Sequence, residues 1–104
     1  MSVAMVYMTA GDVEEARRIG RELVRLRLAA CVNILGGMES IYLWQEKLET
    51  ADEVVLIAKT VSEKVEELTE TVKELHSYDC PCVVAFEADK GNDQFFEWIG
   101  NCTT

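Results

Sequence analysis

Much that would assign a chemistry is missing from this chain of 104 residues. It has one histidine, His76, and one proline, Pro81. There is no H-E-x-x-H metal pair, no Gly-rich phosphate loop and no catalytic triad pattern, so the chain reads as a non-enzyme. Basic residues are scarce, ten against nineteen acidic, for a net charge of −9. That field repels phosphate backbones, which argues against nucleic acid as a partner and favours cations or basic surfaces. No apolar run approaches the length of a membrane span, and no basic segment with a cleavage pattern follows Met1, so a cytoplasmic protein is expected. In a reducing compartment the cysteines Cys31, Cys80, Cys82 and Cys102 read as free thiols rather than a disulfide framework.

What is present suits one domain spanning residues 1–104, at 49% apolar and 28% charged residues. The run 3–9 is strand-like. Asp12, with Glu15 three residues on, opens a helix over about 12–28 in a capping-box pattern. Its apolar stripe is Val13, Ala16, Gly20, Leu23 and Val24, with arginines outside. Gly20 marks either close helix–sheet packing or simple tolerance. Residues 54–58 form an interior strand. Thr60 with Glu63, or Ser62 alone, is expected to cap a second helix whose stripe is Val61, Val65, Leu68, Val72 and Leu75. That helix should end near His76, because Pro81 forbids its continuation. Residues 83–87 make a fourth strand, and Asn92 or Asp93 caps a short last helix.

The most informative stretch is 31–60. Two strand-like runs, CVNIL and SIYLW, meet at Gly36-Gly37, which predicts a bulge or bend. A polar bend at Gln45-Glu46-Lys47 leads into VVLIAK. This is a bent hairpin too long for so small a domain to cover. Tyr42 and Trp44 share one of its faces and need a surface to lie on. The element order predicts an α+β, ferredoxin-like βαββαβ sandwich with a C-terminal helix, two helices lying on one face of a four-stranded sheet.

The residues Ala30, Cys31, Val32, Asn33 and Ile34, then Ser40, Tyr42 and Trp44, Lys47 and Glu49, Glu53, Lys59 and Thr60, His76, Tyr78, Pro81 and Trp98-Ile99 give the chain a resemblance to the CutA (divalent-cation tolerance) family over nearly its whole length. The resemblance implies a homotrimer in which the long hairpin reaches neighbouring subunits, through Tyr42, Trp44, Lys47 and Glu49, and a role in divalent-cation, notably copper, tolerance. It also implies an architecture similar to PII-like signalling trimers, where a small ligand occupies the cleft between subunits; a scaffold without a ligand is a third reading. Three positions depart from the family pattern: Gly36 replaces a proline, the hairpin tip is Glu46-Lys47, and the last strand is entered through Tyr78-Asp79-Cys80-Pro81.

Copper ligands implied by the resemblance fall at Met8, where the family carries cysteine, and at His76, where a His-His pair has become Leu75-His76. Cys80 and Cys82 alternate along an extended step and present two thiols that Cu(I) or Zn(II) accepts. Met8, His76, Cys80 and Cys82 are therefore the candidate metal residues, against a structural reading in which Met8 is core and the cysteines are buried thiols.

Overall fold

The computed structural model describes residues 2–104. Strand β1 (Val3–Ala10) leads into α1 (Val13–Arg25). Strands β2 (Cys31–Trp44) and β3 (Lys47–Val61) form the hairpin. A single 3-10 turn (Ser62–Lys64) precedes α2 (Val65–Leu75), and β4 (Val83–Ala88) precedes α3 (Asp93–Cys102). The sheet order is β2-β3-β1-β4, antiparallel throughout. This is the ferredoxin-like order expected, with β2 and β4 as free edges.

Alternation decides the two faces of the sheet. Val6, Met8 and Ala10 of β1 and Val54, Leu56 and Ala58 of β3 point to the helices. There they meet Ala16, Ile19 and Leu23 of α1 and Leu68 and Val72 of α2, closing the main core. On the other face α3 lays Ile99 over Val3, Ala30 and Val61, with Phe96 and Cys102 beside them. Lys59 helps hold that helix: its ammonium bonds the Asn33 side chain and stands 5.9 Å from the Phe95 ring centre. The remainder of this face is uncovered, leaving Met5, Val84 and Phe86 exposed.

Gly20 lies where a Cβ would stand 3.4 Å from the Val32 side chain, so close helix–sheet packing is the reason for it. The stripe of α1 is turned slightly from the one expected: Ile19 and Glu15 are buried and Val24 is exposed. The expected cap of α2 is absent. Thr60 is ladder-paired with Ala4, the Ser62 hydroxyl bonds the Glu87 carboxylate, and α2 begins without a side-chain cap. The β3 ladder continues to Val61, and its backbone pairing wins over a local side-chain bond. Asn92 does cap α3, its side chain accepting from Gln94 N–H at 3.0 Å.

Gly36-Gly37 is a bulge. Leu35 pairs with Val55 but Met38 pairs with Glu53, so β2 carries one extra residue there. Gly37 takes φ +78°, a left-handed value that glycine reaches without strain. At the far end Gln45 and Glu46 both have positive φ, +51° and +66°, as a two-residue type I′ turn demands. Between bulge and turn the hairpin is an arm standing clear of the body, and the molecule measures 45 × 25 × 22 Å. Leu43 and Leu48 at its end are 73% and 75% exposed, left uncovered by the described residues of their own chain.

Candidate functional site

The polar features concentrate where the arm leaves the body, facing the turn that follows α2. Glu15 organises this turn. Asp12 accepts from Glu15 N–H at 2.8 Å as the N-cap of α1. The Glu15 carboxylate reaches back one residue further than a capping box does, accepting from Gly11 N–H at 3.1 Å. Its other oxygen accepts from Ser77 N–H at 2.7 Å. Burial alone would raise the Glu15 pKa; the bonds from Ser77 and Gly11 outweigh it and hold the carboxyl below its ordinary value.

His76 is locked beside it. Its Nε2 lies 2.7 Å from the Thr9 carbonyl, and its Nδ1 accepts from Tyr78 N–H at 3.0 Å. A carbonyl only accepts and an N–H only donates, so the hydrogen sits on Nε2 and the ring is neutral in this arrangement. The side chain is 1% exposed. Both nitrogens are thus spent in fastening the turn to β1.

Tyr78 packs its ring against His76, centres 4.6 Å apart, and its hydroxyl donates to Glu53 of β3 at 2.8 Å. Burial and this bond to a carboxylate push its pKa up to about 12, so it remains a donor. The turn is in this way tied to the root of the arm. Register then lines up the arm: Glu53 opposite Met38, Ala51 opposite Ser40, Glu49 opposite Tyr42 and Lys47 opposite Trp44. Alternate pairs share a face, so Tyr42, Trp44, Lys47, Glu49 and Glu53 all project from one side.

Between that side and the turn lies an open cleft of about 590 Å³. Tyr42, Trp44 and Glu53 form one wall, and Tyr78, Asp79, Cys80 and Cys82 the other. Burial, then the charge of Glu53, raises the Cys82 thiol pKa, which keeps it protonated and weakly nucleophilic until a metal displaces the proton. A second hollow, of about 530 Å³, runs between α1 and β2 under Arg17, Arg21 and Arg25. All five arginines of the chain fall within residues 17–27.

Of the four sulfur and nitrogen candidates, then, two come together at the cleft and two do not. Cys80 and Cys82 line it. Met8 is 1% exposed in the main core, and His76 has no lone pair to spare. Sequence reasoning treated Glu15 only as a capping residue. Its spacing from Ile19 and Leu23 placed it on the buried stripe, and that was the available signal.

Residues 4–102 match the family model of the CutA1 divalent ion tolerance protein. The chain belongs to the CutA1 family. It is 44% identical over 94 residues to the divalent-cation tolerance protein CutA of Archaeoglobus fulgidus, covering 90% of this chain and 91% of that one. It is 40% identical to the chloroplastic CutA of Arabidopsis thaliana over 99 residues, which is 95% of this chain but 54% of the plant protein. Among solved structures, CutA of Xylella fastidiosa superposes with a TM-score of 0.97 at 35% identity over the full length of both chains. The fold described above is thus shared with a solved CutA structure over its whole length. The names of the relatives carry different compartments, chloroplastic for the plant protein and periplasmic for an Archaeoglobus structure. Among the described residues no helix is long and apolar enough to cross a membrane.

The donors present do not make a ready copper site of the four-residue kind. Among the described residues no three His, Cys, Asp or Glu side chains stand close enough together to hold a metal. Recruiting His76 would break a bond to Thr9 or Tyr78, and recruiting Met8 would open the core. What the cleft does offer is two thiols in its lining, Cys80 in the bend before Pro81 and Cys82 just after it, soft donors of the kind Cu(I) accepts.

Proposed function

We propose that this CutA chain acts in divalent-cation tolerance as a non-enzymatic cytoplasmic homotrimer, and that copper is taken at the cleft by Cys80 and Cys82. The carrying observation is the placement of both thiols on the same cleft wall, facing the root of an arm that nothing in its own chain covers. The trimer is supported by apolar surface. Leu43 and Leu48 on the arm, and Met5, Val84 and Phe86 on the sheet, are large side chains exposed in one chain and ready to be buried by copies of it. A neighbour seating the arm through Tyr42, Trp44, Lys47 and Glu49 would close the cleft on a third side. Cys80 and Cys82 would hold the metal as thiolates, each giving up its proton to solvent as the metal–sulfur bond forms; no substrate is transformed.

A second reading, a PII-like trimer with a small ligand in the same cleft, draws on the aromatic wall opposite the thiols. The copper reading is tested in a copper-sensitive host. Wild-type protein is expected to raise the copper concentration tolerated, and a Cys80→Ser, Cys82→Ser variant expressed to the same level is expected not to. Equal protection by both removes the thiols from the mechanism.

A further inference from the structure

The aromatic wall carries more than the thiols require. Tyr42, Trp44 and Tyr78 present three rings to one cavity, and Glu53 and Asp79 bring two carboxylates to it. Among the described residues no lysine or arginine lines that cavity. Among the described residues neither Glu53 nor Asp79 has an ion-pair partner. Tyr78 O–H neutralises none of the Glu53 charge; it fixes the carboxylate in place at 2.8 Å and leaves one oxygen open.

We propose that this wall is a site for an alkylated ammonium ion, held over the ring faces of Tyr42, Trp44 and Tyr78 and balanced by Glu53 and Asp79. The inference rests on the reading of the cleft as a ligand site, and it is independent of copper. Ring faces are negative and attract a cation, most effectively one whose charge is spread over alkyl groups and whose hydration is weak. A hard inorganic cation would demand several oxygen ligands at coordination distance instead. A neutral ligand would gain nothing from the two carboxylates. The overall charge of −9 adds a long-range pull of the same sign.

The test is calorimetric titration of the native assembly with tetramethylammonium, against neutral tert-butanol of similar size. Saturable binding of the cation alone is expected, at one per chain. Glu53→Gln, which keeps an oxygen for Tyr78 O–H, and Tyr42→Leu should each weaken it by about tenfold. Light scattering on each variant checks the assembly, and Glu53→Gln decides should Tyr42→Leu alter the mass. Equal binding of tert-butanol that is lost in Tyr42→Leu would keep the cleft as a ligand site and overturn the choice of a cation. Absence of saturable binding, or affinity untouched by Glu53→Gln, overturns the proposal outright while leaving copper at the thiols to its own test.

Discussion

Truncating Trp44 to alanine is expected to raise the concentration at which the proposed trimer dissociates by well over tenfold, measured by sedimentation across a dilution series. Trp44 stands at the end of the arm opposite Lys47, just before the turn, and is 55% exposed within its own chain. A half-exposed indole on a strand that projects from the body gains little from its own fold, so in the proposed trimer most of its burial would come from a neighbour. Interface tryptophans are commonly worth about 2 kcal/mol or more on truncation, and the symmetry of the proposed trimer would apply the loss at every interface. The folded subunit should survive, since the main core is built from other residues, and its far-ultraviolet spectrum should not change. A trimer that persists unaltered at low concentration would take Trp44 out of the interface.

Replacing Glu15 by alanine is expected to lower stability by about 2–4 kcal/mol, read as a shift of the urea midpoint at constant slope, because two backbone N–H groups lose their acceptor at once. Those groups, on Gly11 and Ser77, are what keep the turn after α2 against β1. The pH dependence has a definite sign. The folded-state pKa of Glu15 lies below its ordinary value of 4.5, so its contribution is complete above that value and disappears as pH falls through the lower folded value. The gap between wild type and Glu15→Ala should therefore be constant near neutrality and narrow in acid. A gap that widened in acid would mean the carboxylate is not the stabilising form. A glutamine at this position should recover part of the loss, since its carbonyl still accepts one of the two bonds.

The fold was legible in the sequence for reasons that can be traced to particular residues. Asp12 and Asn92 announce helix starts because a short polar side chain is the cheapest partner for free helix N–H groups. Gly36-Gly37 announces the bulge because an extra residue in a ladder calls for an unusual backbone. The arm was visible as a hairpin longer than a small domain can cover. The start of α2 was misjudged because Thr60 and Ser62 carry the right hydroxyls for a cap, yet β1 on one side of β3 claims that backbone first.

The cleft was legible only in pieces. Tyr42, Trp44 and Glu53 stood out on the hairpin, and Cys80 and Cys82 stood out by their spacing. Their meeting was hidden, because it depends on Glu15 binding Ser77 across 62 positions and on Tyr78 reaching Glu53 across 25. Periodicity reports neighbours within one element; it is silent on a turn folded against a strand. His76 illustrates the cost of that silence. As the single imidazole it draws attention as a ligand, while its two nitrogens are consumed by Thr9 and Tyr78.

The most direct measurement is an anaerobic Cu(I) titration against a competing chelator, on wild type, on the Cys80→Ser, Cys82→Ser variant and on Met8→Leu, with mass followed by light scattering. Stoichiometric binding that persists in Met8→Leu, with loss in the thiol variant and a trimer in all three, is the predicted result. Binding that survives removal of both thiols, or is absent from a wild-type trimer, would contradict copper capture at this cleft.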